Sequence, residues 1–390
     1  MTRTVRNACS KRPFKRGAVI VWTAVSITTL LGFAALAVDL GYVTVVHTQL
    51  QTAADASAMA GASALASSEK FESSTTQSML VSLAQSRAEE FAAKNIAAGR
   101  ALQINSSDVL VGYLANPTDL TETIVTATSQ SYNAVRVTIN KASANANGPV
   151  DLLFARIWGK QNVALSAEAT AIIDDRISGF EPKENGGPLI PVTILQQKWT
   201  DQITNQQGCD DYGYNADTGQ ITKSPDGAVE ISIYPERSGA GGNFGLLNFE
   251  NGNSSVNPVA DQVRNGITAE EMERTIGSPE ITFTNENGQS VAYSIDGTPG
   301  LKASLKDDFE SRIGTVVGFF IHDTLPVGDG ANAVYHIVGI RFGRLMYSKL
   351  TGSPNSKVVI IQPTVYTGPE LRTRPNAPRN ETAGKIKLVR

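Results

Sequence analysis

Twenty-two consecutive residues without a charge, Gly17 to Val38 (GAVIVWTAVSITTLLGFAALAV), constrain this chain more than any other feature. As a helix the run is ~33 Å long, enough for a hydrocarbon core of about 30 Å. Residues 1–16 hold Arg3, Arg6, Lys11, Arg12, Lys15 and Arg16 and no acid. Positive charge on the N-terminal flank, with almost none after the run, places the N-terminus inside and the remainder outside. Ala35-Leu36-Ala37 supports a second reading, a cleaved signal peptide. The run is longer than a usual signal core of about 7–15 residues, and a helical pattern continues past it. Both readings export the rest of the chain.

The formal charge of −3 over 390 residues hides an asymmetry, since the six basic residues at the start leave −9 on the remainder. A nucleic-acid binder would need a basic folded face to neutralise phosphates, so that class is excluded. Cys9 and Cys209 fall on opposite sides of the expected membrane and cannot pair within one chain. The exported part must therefore fold by its core rather than by disulfides.

No proline interrupts the chain from Asp39 to Leu65, and Val43, Val46, Leu50, Ala53 and Ala54 recur at helical spacing. The helix thus continues from lipid into water as a stalk, favoured by the alanines from Ala53 to Ala66. After a polar break, a second amphipathic helix runs to about Ala98, with Leu80, Ala84, Ala88 and Phe91 on one face and Gly99 as its stop. DVLVGYL, NAVRVTI and ALSAEATAII are β-patterned, and DLLFARIWG between the last two is a brief helix ended by Gly159. A long apolar N-terminal helix before a modest sheet is the plan of a pilin-like subunit.

The segment from Arg176 to Pro188 reads as a linker, and a second region follows from Leu189 to Gly368. Its strand candidates are LIPVTIL, AVEISIYP, ITFTN, SVAYSI, VVGFFIH, VYHIVGI and KVVIIQPTVY. Helices are expected at Thr268–Ile276, opened by a Thr268/Glu271 capping box, and at Leu301–Ile313. The expected fold class is α+β: a transmembrane and stalk helix, a small pilin-like α+β region, and a β-rich C-terminal domain. The boundaries are 1–16 for the basic cytoplasmic tail, 17–38 for the membrane helix, 39–66 for the stalk and 67–175 for the pilin-like region. The linker is 176–188, the β-rich domain 189–368, and 369–390 a disordered tail.

RGAVIVW (Arg16 to Trp22), AVDLGYV (Ala37 to Val43) and HTQLQTAADASAMAGASAL (His47 to Leu65) follow one another in order. With NAVRVTI, FARIWG and LSAEATA they make the first ~170 residues resemble the TadE/TadG-like family of tight-adherence (Flp) pilus assembly, TadG-like type. GNFGLLNFE and YHIVGIRF are similar to the C-terminal part of some relatives. The resemblance implies a non-catalytic, pseudopilin-like protein anchored by one span in the bacterial inner membrane, acting in assembly or adhesion of a Tad/Flp-type pilus. It implies partners among other pilus-assembly or envelope proteins, and a homo-oligomer through the N-terminal helix. Two positions depart from family patterns. Prepilins of this system carry glutamate five residues after the cleavage-site glycine, where this chain has Trp22, so a permanent anchor is expected. Asp55-Ala-Ser57-Ala-Met59 approaches the von Willebrand-type metal motif but lacks its third ligand.

Enzymatic chemistry finds little support. The histidines are His47, His322 and His336, with no H-E-x-x-H, paired C-x-x-C or G-x-S-x-G. No metal or cofactor is expected. A tethered hydrolase centred on His322 or His336 stays open as an alternative, because a triad can be assembled from dispersed residues. A calcium-dependent adhesin is another, through Asp210, Asp211, Asn215 and Asp217, although their spacing fails the EF-hand pattern. SGAGGNFG (Ser238 to Gly245) begins a G-x-G-x-x-G but has Phe244 at its sixth position and reads as a tight loop. The expected interaction sites are small-residue stripes that let helices approach closely. These are Ala24, Thr28 and Gly32 in the span, and Ala53, Ala54, Ala56 and Ala60 on the stalk, with Asp55 as a directional polar contact.

Overall fold

The computed structural model describes residues 16–117, 121–128, 130–216, 218–237, 241–249 and 256–389. Apart from Arg16, the basic tail expected at 1–16 lies outside them.

Arg16–Leu65 is one helix, α1, of 50 residues and roughly 75 Å. Among the described residues one helix is long and apolar enough to cross a membrane, and it is this one. Its first half is bare: Val19, Trp22, Leu30, Phe33 and Leu36 all stand exposed. Thr23, Thr28 and Thr29 each donate to the carbonyl four residues back at 2.8 Å, which satisfies those hydroxyls without water. The second half buries a stripe of Val46, Leu50, Ala53, Ala54, Ala58, Ala62 and Leu65, at the i, i+3, i+4 spacing of one helix face.

A second helix, α2 (Gln77–Ala93), lies against that stripe through Ala84, Ala88 and Ala92. Thr76 caps it by accepting the N–H of Met79. It ends before the expected Ala98, because Ala98 and Gly99 have positive φ (54° and 75°). They form the turn of a small hairpin, Ile96–Ala97 against Arg100–Ala101.

Under the two helices runs a four-stranded antiparallel sheet. Its order is Lys385–Leu388, Leu165–Asp174, Ala134–Lys141, Val109–Gly112. Val135, Val137 and Ile139 alternate toward α1, as the period of two requires. DLLFARIWG contributes a single 3-10 turn, Ala155–Trp158, stopped by Gly159 at φ 83°.

Two expectations are corrected here. The span 176–188 is no free linker: Ile177–Phe180 is a buried strand between Ile281–Thr282 and Leu371–Thr373. Nor is 369–390 a disordered tail, since it supplies the strands Leu371–Thr373 and Lys385–Leu388. Pairing partners far away in sequence order both segments, and Lys387 also reaches the buried Asp174 at 2.6 Å.

The C-terminal module is built on seven strands. Five of them close into a ring: Val334–Lys349, Tyr293–Pro299, Asn243–Leu247, Leu189–Leu195 and Val316–His322, with the last pairing back onto the first. Val358–Pro363 and Ile231–Tyr234 extend the sheet beyond Val334–Lys349. The Thr268/Glu271 capping box forms and opens the helix Ala269–Ile276. The helix expected at Leu301–Ile313 is shorter, Lys306–Glu310 after a 3-10 turn, with Leu305 and Phe309 buried and Ile313 exposed.

Candidate functional site: the α1 stalk and its clamp

On the stalk, Ala53 and Ala54 have no exposed surface and belong to a core shared with α2 and the sheet of the same chain, and Ala60 has very little exposed surface. Gly61 shows how close this packing is. A Cβ there would stand 2.9 Å from Val135 Cγ1 and 3.1 Å from the Ala84 carbonyl oxygen. The expectation that Ala53, Ala54 and Ala60 receive a partner's helix is therefore corrected: they are buried within their own chain, where α2 and the sheet pack on α1. Ala56 and Asp55 are half-buried. Asp55 accepts from Gln51 Nε2 at 2.9 Å, and the same amide donates to the Glu168 carbonyl at 3.0 Å, so this polar contact also closes within the chain. Ala24 and Thr28 lie on the bare half of α1, and Gly32 is partly covered there.

What covers Gly32 is the 3-10 segment at Ala155–Trp158. Asp39, the first charged residue after the apolar run, is buried. Its carboxylate accepts the backbone N–H groups of Leu153 at 2.8 Å, Phe154 at 3.1 Å and Ala155 at 2.6 Å. Three donors at the start of a helical turn, which have no partner within the turn itself, thus receive a charged acceptor from another helix. The clamp sets Phe154, Ile157 and Trp158 alongside Leu31, Gly32, Ala35 and Val38 of α1, around an apolar groove of about 410 Å³. Sequence reasoning missed Asp39 as a site. The signal was its place in AVDLGYV, which reads by itself only as the exit from the membrane.

Farther along, a cleft of about 360 Å³ between the two modules collects Lys70, Asp175, Trp199, Arg341, Arg379 and Glu381. Arg379 binds the Asp175 carboxylate at 2.9 Å and donates to the Tyr113 hydroxyl at 2.7 Å. Trp199 donates to Glu381 at 2.8 Å, and the Lys70 ammonium donates to the Glu381 carbonyl. Burial pulls the Lys70 pKa down to about 8 against the opposing pull of Asp175 and Glu381. The Lys70–Glu381 and Arg379–Tyr113 hydrogen bonds cross the cleft and tie the modules together.

His322 and His336 come from paired strands but sit in different surroundings. His322 is fully buried, its Nδ1 2.9 Å from the Thr193 hydroxyl and its ring edge-on to Tyr335. His336 pairs with Asp323 at 2.8 Å on the surface. His47 is exposed on α1. In the acidic loop, Asp210 accepts the N–H groups of Asp226 and Gly227, and Asn215 accepts that of Thr218. The backbone N–H of Asp211 goes to Glu230. Asp217, and residues 238–240 of the glycine run, lie outside the described residues. Among those described, no group of three His, Cys, Asp or Glu side chains could hold a metal ion. Gly241 donates to Asp329 and Gly245 to the Tyr335 hydroxyl; of the described part of the run, 241–242 form a turn and the remainder belongs to the strand Asn243–Leu247.

Burial pulls the His322 pKa down to about 4, against Glu236 and Asp323. An unfolded histidine titrates near pH ~6.5, so between there and about 4 the unfolded chain binds the extra proton. Stability conferred by neutral His322 is therefore lost as the pH falls through that window, by about 3 kcal/mol at most. Glu230 acts in the opposite sense. Burial, with Asp210 and Asp226 adding to it, raises its pKa to about 7 against the N–H groups of Asp211 and Tyr212. Its contribution thus fades as the pH rises from its unfolded value toward 7. Comparing wild type with His322→Asn isolates the histidine. Urea unfolding between pH 4 and 7 should show a flatter acid side in the variant, and parallel curves would refute this account.

Residues 17–64 match the Flp pilus-assembly TadE/G-like family (Tad), and residues 44–171 match the Tad-like Flp pilus-assembly family (Tad_C). No curated protein and no solved structure matches the chain. The two matches overlap on the stalk, and the second ends just before the last residues of strand Leu165–Asp174. Over residues 17–171, then, this chain is similar to the TadE/G-like and Tad-like Flp pilus-assembly families, and among the described residues that stretch carries the one helix long and apolar enough to cross a membrane.

Proposed function

We propose that the chain is a non-catalytic, pseudopilin-like subunit in assembly or adhesion of a Tad/Flp-type pilus. Its N-terminus is cytoplasmic, α1 is retained as a permanent inner-membrane anchor, and both modules work outside. One observation carries the reading. The same unbroken helix is bare and apolar for its first half and built into an α+β module for its second. The bare half then contacts lipid and the helices of other envelope proteins, and folded surface is left for partners outside. Orientation follows from the six basic residues at the start. A photo-crosslinking residue at Leu30 or Phe33, both exposed on α1, tests the proposal in cells that assemble the appendage. Adducts identified by mass spectrometry as pilus-assembly subunits are the expected result, and adducts with lipid alone would overturn it. Protease added to spheroplasts should digest the chain beyond Asp39 and spare an N-terminal tag.

A further inference from the structure

We propose that the 153–158 segment is a second membrane-inserting element, dipping beside α1 into the acyl chains of the leaflet that faces the folded modules. The inference rests on α1 spanning the bilayer. Depth is its first support. The Trp158 ring comes within 4.0 Å of where a Cβ on Gly32 would be. Gly32 precedes the end of the apolar run at Val38 by six residues, about 9 Å at 1.5 Å per residue. One leaflet's hydrocarbon is about 15 Å deep, half of the full core. A ring held at the level of Gly32 therefore cannot stay in water while α1 spans.

The surface chemistry agrees with that depth. Leu153 is 59% exposed, Ile157 78% and Trp158 64%. These side chains continue the bare apolar face of α1 around the groove that Ile157 and Trp158 share with it. The charges turn back from the tip. Arg156 donates to the Leu152 carbonyl at 2.7 Å and lies 3.7 Å from Asp151, within reach of headgroups.

Backbone polarity is the third support, because irregular chain in lipid must satisfy its own N–H groups. Here Leu152 donates to Gln161, and Leu153, Phe154 and Ala155 donate to Asp39. Ile157 donates to Phe154, Gly159 to Arg156 and Lys160 to Ala155. For these groups the clamp and the turn's own carbonyls together supply what water would supply to an ordinary surface turn.

The test uses the full chain with Cys9→Ser and Cys209→Ser. Ile157→Cys, or Ala24→Cys as control, carries an environment-sensitive fluorophore. The protein is reconstituted in phosphatidylethanolamine/phosphatidylglycerol vesicles bearing nitroxides on the acyl chains. The label at 157 should lose most of its emission to acyl-chain nitroxides and little to aqueous iodide, as the label at 24 does. Iodide quenching at 157 with lipid quenching at 24 overturns the insertion while leaving the anchor standing. A label at 157 shielded from both quenchers shows a protein covering and overturns it too. Absence of lipid quenching at 24 removes the spanning helix and the insertion together.

Discussion

Replacing Asp39 by alanine should free the 152–160 segment while leaving the rest of α1 helical. The carboxylate is buried and accepts three successive N–H groups, from Leu153, Phe154 and Ala155. Alanine removes every one of those acceptors at once. Hydrogen bonds to a charged group are the strong ones, and donors left unpaired away from water are penalised individually. Hydrogen exchange at these three amides should accelerate by about a hundredfold or more, since the turn has no other acceptor for them. Asp39→Asn keeps one carbonyl oxygen but sets an NH₂ group against donors, so it should fall between wild type and alanine. Mass-spectrometric exchange on the full chain in detergent or vesicles reads the effect. Unchanged protection at 153–155 in Asp39→Ala would show that the segment is held by something other than the clamp.

Gly61→Val should be among the most damaging single changes in the stalk. The first added carbon would already stand 2.9 Å from Val135 Cγ1 and 3.1 Å from the backbone oxygen of Ala84. A side chain can rotate away, but the Ala84 carbonyl moves only if α2 moves. The two γ-methyls of valine then force the helices apart along a seam of alanines. Overpacking of this kind typically costs about 1–3 kcal/mol, and against a backbone atom about 4 kcal/mol is expected. Ala54→Leu should behave similarly, if less severely, because Ala54 has no exposed surface. Ala56→Leu is the contrast: half-buried, it should shift stability by only about 0.5 kcal/mol. Thermal unfolding of the three variants in detergent separates them. Equal melting of Gly61→Val and wild type would mean that α1 and α2 do not pack as described.

That contrast also marks how far the sequence can be read. The stripe Ala53, Ala54, Ala60 announces close packing, and all three are buried within the chain itself. Small residues state how near a neighbour comes and not which chain it belongs to, so from sequence α2 looks the same as a partner. The membrane helix, the alternation of Val135, Val137 and Ile139 and the Thr268/Glu271 cap are legible because each is written in neighbouring residues. Ile177–Phe180 and Lys385–Leu388 are not. Four residues are too few to show a period, and their strand character comes from partners at Leu371–Thr373 and Leu165–Asp174. Asp39 is hidden for the same reason, since its donors lie more than a hundred residues away.

Asp174 and Lys385 are paired neighbours at one end of the N-terminal sheet. Everything between them leaves and returns at a single doorway, so the C-terminal module is an insertion into the stalk module rather than a domain appended after it. A short turn from Asp174 to Lys385 would leave the four strands and both helices with their order unchanged. The matched family segment stops at residue 171, just short of that doorway. The stalk can therefore act as a fixed socket whose cargo is exchangeable: a chain could carry another module, or none, between the same two strands. A pull on that cargo would reach the anchor through two adjacent strands side by side and through the bonds across the cleft, which share the load instead of passing it down one thread.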